Sequence, residues 1–219
     1  MTLSDPIPAA DSVANSPTRT AAIARALRLE YLTVSWNLVE GTIAVWAALA
    51  AGSVALLGFG IDSFVESASG LVLTWRLLAE KRGTNSFDIE RLDRRAHKLV
   101  GASLFGLGAY IAFDAVAALV GKEVPERSIV GITLTAISVG VMLWLGRAKR
   151  REAAALNSRA LAADAFQTTA CWWLSIAALA GLGLNALWGW WWADPLAALV
   201  MSGLIVREGR EAWRGDVCC

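Results

Sequence analysis

Six apolar stretches, each near the length that crosses a bilayer, follow one another with only short polar joints between them. They run over Leu32–Ala51, Ser53–Ala79, Leu99–Val120, Ile129–Leu145, Leu161–Leu187 and Leu196–Val206 with its flanks. A helix of about 20 apolar residues spans a hydrocarbon core about 30 Å thick. Backbone polar groups find no water at that depth, so runs of this length must satisfy their hydrogen bonds internally, as helices do. The expected class is therefore an all-α membrane protein of six transmembrane helices. Composition agrees: 56% of the 219 residues are hydrophobic and mean hydropathy is +0.51, well above a soluble domain.

Charge placement sets the orientation. With the six segments threaded back and forth, all of the 20 Lys and Arg except Lys122 and Arg127 fall on one side. The positive-inside rule then puts both termini in the cytoplasm. The opposite face carries Trp188, Trp190, Trp191 and Trp192, an aromatic belt at the membrane interface. Net charge is only +1, so no nucleic-acid partner is expected.

Residues 1–20, with Pro6, Pro8 and Pro17 among Ser and Asp, read as a disordered cytoplasmic tail and not a signal peptide. Residues 21–212 form one six-helix membrane domain, and 213–219 a short cytoplasmic tail. Gly52-Ser53 reads as a very tight hairpin between helices one and two, and Gly121 to Ser128 as the turn between three and four. Asp194-Pro195 reads as an N-cap followed by proline at the first position of helix six. Cys171, Cys218 and Cys219 make no disulfide framework.

Helix two contains the chain's main expense. Asp62 and Glu66 stand four residues apart within an apolar run, about 40° apart around the axis and about 6 Å along it. Each acid at mid-membrane costs about 2.5–3.5 kcal/mol for insertion. The large apolar residues of the same segment offset only about 3–6 kcal/mol in all. A cation, protons or hydrogen-bond donors inside the bundle must compensate the pair. Helix five offers a facing set, since Asp164, Gln167 and Cys171 are spaced i, i+3, i+7 along one side. Gln167 and Cys171 repeat the four-residue interval of Asp62 and Glu66, and two such pairs could make the four-ligand cage that tetrahedral divalent metals prefer. The other reading of Gln167 is an interhelical hydrogen bond, and of Cys171 a small apolar filler.

Further polar groups lie at the same depth. Asn37 and Glu40 on helix one are candidates for supporting the site or carrying protons, and Asp114 for the same role or an interhelical bond. Glu90, Asp93 and His97 at the start of helix three have i, i+3, i+7 spacing, which suits either a metal site at the entrance or ordinary surface pairs. Cys218 and Cys219 could capture soft metals but read more simply as part of a tail.

The chain resembles the cation diffusion facilitators, exporters of divalent transition metals. The residues that carry the resemblance are Ser53-Val54-Ala55-Leu56-Leu57 leading to Asp62-Ser63, then Leu161-Ala162-Ala163-Asp164-Ala165, and Trp192-Ala193-Asp194-Pro195-Leu196-Ala197-Ala198-Leu199. It covers about residues 30 to 212 and is closest to short members without the family's C-terminal cytoplasmic domain. The resemblance implies a transport site shared by helices two and five, made here by Asp62, Glu66, Gln167 and Cys171, with Asp164 able to supply a further oxygen. Gln167 and Cys171 replace the family's usual histidine and aspartate. The cargo it implies is a divalent metal, zinc first and otherwise cobalt, cadmium, iron, nickel or manganese, moved against protons by a homodimer in the bacterial inner membrane. No resident cofactor and no enzymatic reaction are expected. A metal-binding membrane sensor or partner protein that moves nothing is the alternative. An intramembrane aspartyl protease, suggested by Gly58-Phe59-Gly60, is disfavoured because Ile61 separates the glycines from Asp62.

Overall fold

A computed structural model describes the backbone of residues 17–81 and 86–214, and the side chains of 20–79, 101–102, 104–158, 160–211 and 213. Among these residues the chain forms six helices and no strand: α1 Pro17–Ala51, α2 Val54–Lys81, α3 Ser86–Gly121, α4 Ile129–Leu156, α5 Arg159–Trp188 and α6 Ala193–Arg214. The first five are long and apolar enough to cross a membrane, so the protein is an integral multi-pass membrane protein. The sixth is not apolar enough on its own, because Arg207, Glu208, Arg210 and Glu211 follow its apolar half.

The helices run past the ends that apolar length suggests. α1 begins well before Leu32, because Ala22, Ile23, Ala26 and Leu27 continue a buried stripe through the arginine-bearing turns. That stripe packs with Leu73, Leu77, Ala153, Leu156 and Leu161 into a second core at the arginine-rich end. The main core, with Phe59, Leu104, Ile111, Leu174, Leu182, Met201 and Ile205 at its centre, fills the other part of the bundle.

α2 is the central helix, packed against α1, α3, α5 and α6. Its approach to α1 is backbone-close: a Cβ on Gly41 would meet the Gly60 carbonyl at 3.0 Å, and one on Gly60 would meet Val45 at 2.9 Å. α3 and α6 approach in the same way, since a Cβ on Gly101 would meet the Gly209 carbonyl at 2.9 Å. Small residues thus serve packing inside one chain, as is usual between membrane helices.

The expected hairpin is present, with Gly52 at φ +64° between α1 and α2. Asp194 does not act as the expected cap of its own helix. α6 begins at Ala193, and the Asp194 carboxylate reaches across to α2, accepting from the Ser53 hydroxyl at 2.6 Å and the Ala55 N–H at 3.4 Å. Ser53 Oγ in turn accepts from the Leu56 N–H at 3.1 Å. The free N–H groups at a helix start attract an anion, and α2 takes that anion from a neighbouring helix. The starts of α2 and α6 are therefore held level. The tails expected at 1–20 and 213–219 fall mostly outside the described residues, and Cys218 and Cys219 lie outside them entirely.

Replacing Asp194 with alanine leaves the Ser53 hydroxyl and the Ala55 N–H without their buried partner. Thermal unfolding of the purified protein in detergent should show a loss of about 1–3 kcal/mol. An unchanged midpoint would mean that this contact does not hold α2 and α6 together.

Candidate functional site within the helix bundle

Asp62 and Glu66 both point into the bundle and are 2% and 1% exposed. Each is met from α5 by one neutral donor. The Cys171 thiol donates to Asp62 Oδ2 at 3.0 Å, and the Thr168 hydroxyl donates to Glu66 Oε1 at 2.8 Å. Asp62 Oδ1 and Glu66 Oε2 are buried and have no hydrogen-bond partner. Two acids thus meet two weak donors and keep one free oxygen each.

Cys171 stands opposite helix two as the spacing suggests, but Gln167 does not share its position. Gln167 is half-buried and bonds to neither acid; the next residue, Thr168, makes the contact instead. The buried polar line of α5 is Asp164, Thr168, Cys171 and Ser175, with intervals of four, three and four. That is the seam spacing of a packed helix, and Ser175 is the sequence signal that extends the line through Thr168. Ser175 closes the seam by bonding Ser138 of α4 at 3.2 Å.

Asp164 takes part in a different contact. Lys149 of α4, counted by its charge with the loop residues, is instead fully buried at 0% exposure. Its ammonium donates to Glu30 Oε2 at 3.2 Å and to Asp164 Oδ2. Glu30 on α1, Lys149 on α4 and Asp164 on α5 thereby form a buried ion triad across three helices. Glu30 and Lys149 are not singled out by the sequence, because each lies within a few residues of arginines (Arg25 and Arg28; Arg147, Arg150 and Arg151) that resemble a membrane-exit segment. The Asp164 carboxylate is therefore committed to an ammonium, though its backbone carbonyl also accepts from Thr168 at 3.2 Å.

Glu40 is satisfied from several sides: Trp36 Nε1 donates to it at 3.1 Å and Ser63 Oγ at 3.1 Å. Since Ser63 adjoins Asp62, Glu40 lies beside the acid pair without touching it. Asn37 is fully buried, and neither atom of its amide has a partner. Antiparallel register, with Gly41 against Gly60, Glu40 on Ser63 and Gly70 against Val34, sets Asn37 level with Glu66. Asp114 is half-buried on α3 and joins none of these contacts. The side chains of Glu90, Asp93 and His97 lie outside the described residues.

Among the described residues no three of His, Cys, Asp or Glu are close enough together to enclose a metal ion. The arrangement provides two uncompensated carboxylates, an amide and a thiol around one level of α2. Keeping both carboxylates charged at this depth is costly, because neither thiol nor hydroxyl offsets the desolvation of a buried charge.

The sequence profile of the cation efflux transmembrane domain matches residues 31–214, from within α1 to the end of α6. An uncharacterised transporter of Synechocystis sp. is 31% identical over 174 residues, which cover 76% of this chain and 54% of that protein. The cation-efflux pump FieF of Shewanella oneidensis is 24% identical over 171 residues, 76% of this chain and 57% of the pump. The cadmium, cobalt and zinc/H(+)-K(+) antiporter of Bacillus subtilis is 25% identical over 197 residues, 85% of this chain and 61% of the antiporter. The chain thus spans between 54% and 61% of the length of these relatives.

The triad gives a stability prediction. Lys149→Met leaves two buried carboxylates unpaired and should destabilise the protein by about 3–5 kcal/mol in chemical or thermal unfolding. Adding Glu30→Gln and Asp164→Asn should recover most of that loss. Equal instability in the triple variant would mean that Lys149 acts through packing and not charge.

Proposed function

The chain belongs to the cation efflux family, and we propose that it carries a divalent transition-metal cation out of the cytoplasm in exchange for protons. The observation that carries this reading is the pair of free oxygens, Asp62 Oδ1 and Glu66 Oε2, buried without partners on the central helix. Two carboxylates in a low dielectric are tolerable when a dication or protons occupy them. An arriving dication draws the two free oxygens together and displaces protons, and protons returning from the far side release it. That competition is the physical basis of antiport. The arginine-rich ends of the helices face the cytoplasm in this reading, following the positive-inside rule.

Cys171 supplies the soft member of the set. With its proton it donates to Asp62; without it the thiolate is a ligand that favours zinc, cadmium or cobalt over manganese. Gln167 belongs to the coordination set only if α5 rotates toward α2. Asn37 is the amide already at the right level, and Glu40 holds Ser63 beside the pair. Zinc is the first cargo to test, followed by cobalt, cadmium, iron, nickel and manganese. A homodimer is the expected assembly.

The test is metal flux into proteoliposomes with a metal dye and a pH reporter inside. Asp62→Asn or Glu66→Gln should abolish flux and the accompanying proton movement; undiminished flux in either would remove that acid from the path. Metal affinity should weaken as pH falls, because protons compete for the same oxygens, and a pH-independent affinity would remove the exchange. Cys171→Asp should move the metal ranking toward harder cations. Binding without flux would make the protein a metal sensor.

A further inference from the structure

The Glu30–Lys149–Asp164 triad stands one helical turn from the acids of α2, on the side of the arginine-rich end. Two helices measure that step independently. On α5 Asp164 precedes Thr168 by four residues, and Thr168 donates to Glu66 at 2.8 Å. On α2 Gly70 follows Glu66 by four residues, and a Cβ on Gly70 would meet Glu30 Oε2 at 3.4 Å. Four residues rise about 6 Å along a helix. The triad thus draws α1, α4 and α5 around one ammonium and rests against the backbone of α2.

Farther toward that end the same four helices stay closed. Leu27 of α1, Leu77 of α2, Leu156 of α4 and Leu161 of α5 pack together in the second core. Beside them Arg25 of α1 pairs with Glu152 of α4 at 2.8 Å. A cation approaching between these helices has to part them before it meets Asp62 or Glu66.

A buried ion cluster is a poor adhesive, since apolar residues of similar volume hold helices as well or better. What it adds is a contrast between two states. Closed, the triad is dry and its charges answer one another. Parted, each charge needs water, so an opening at this level is hydrated as it forms. Glu30 Oε1 and Asp164 Oδ1 are buried without a partner in the closed form, and entering water can bond both.

We infer that the triad is the inner latch of the path between the arginine-rich end and the acids of α2. Joined, it shuts that path; parted, it admits water and a divalent cation together. The inference rests on the cation-transport reading above, in which this end faces the cytoplasm.

The test uses the full chain with Cys218→Ser and Cys219→Ser, which leaves Cys171, buried beside Asp62, as the reporting thiol. An impermeant methanethiosulfonate is applied to right-side-out and inside-out membrane vesicles, and the rate of Cys171 modification is read by mass. Lys149→Met leaves two carboxylates that only water can serve, and should raise the rate from the arginine-rich side alone by roughly tenfold or more. The triple variant Lys149→Met, Glu30→Gln, Asp164→Asn has no charge to hydrate. Its rate should stay at or below that of the wild type, and zinc flux into proteoliposomes should fall roughly tenfold or more at a near-wild-type melting temperature. An unchanged rate in folded Lys149→Met, or an equal rise from both sides, would overturn the latch. If Lys149→Met does not fold, the triple variant decides: wild-type flux in it would overturn the latch and leave the transport reading standing. Absence of zinc flux in the wild type would overturn the transport reading and the latch with it.

Discussion

A charge buried in a membrane bundle must find its compensation within the protein, and Lys149 shows how fully that can be done. Its ammonium meets carboxylates from α1 and α5 while it sits on α4, so three helices close around one cation. The desolvation of all three groups is offset by their mutual attraction, and removing one exposes the others to the full penalty. Among the described residues, Asp62, Glu66 and Glu208 have no such counter-ion. The same bundle that gives Glu30 and Asp164 an ammonium leaves these acids with a thiol, a hydroxyl or nothing. Proteins tend to leave such conflicts unresolved where function needs them, which is why the acids of helix two are proposed as the working site.

The packing around α2 divides the bundle into pairs. α1 and α2 share the Gly41–Gly60 backbone contact, α3 and α6 share the Gly101–Gly209 contact, and α4 and α5 pack side by side. Between these pairs the polar contacts that join the helix ends are of two kinds. At one end Asp194 joins α6 to the start of α2, and at the other the Lys149 triad joins α1 to α4 and α5. At the level of the acids the links from α2 to α5 are single bonds from a thiol and a hydroxyl. Backbone-close glycine contacts resist sliding, whereas single neutral hydrogen bonds exchange readily for a cation. The bundle is therefore firmest at its ends and within its pairs, and most easily altered where the acids lie.

Much of this was legible in the sequence. Long apolar runs require helices in a membrane, a Gly-Ser joint between two of them requires a tight turn, and two acids on one face of helix two require an answer from inside. The opposing residues were harder. Gln167 and Thr168 are neighbours on the edge and centre of one seam, and only the rotation of α5 against α2 decides between them. Lys149 sits among Arg147, Arg150 and Arg151, so its charge reads as part of a solvated end. Its burial depends on two acids from distant parts of the chain. Asp194 reads as a local cap because Asp before Pro usually is one, but the helix it serves lies 139 residues away at Ala55. Each of these is a tertiary fact, set by which helix lies next to which.

The chemistry of the donors facing the acid pair is itself selective. Thr168 can only donate to Glu66 or turn away; it remains neutral at any accessible pH. Cys171 can donate to Asp62 or lose its proton and become a soft, anionic ligand. In the transport reading proposed above, a hard cation gains from the carboxylates alone and leaves the thiol protonated. A borderline cation gains from the carboxylates and the thiolate, and its binding releases one proton more. In that proposal, selectivity and proton stoichiometry are coupled through one side chain. With aspartate in place of Cys171 the coupling disappears, because every ligand would then be an oxygen whose proton any dication displaces alike.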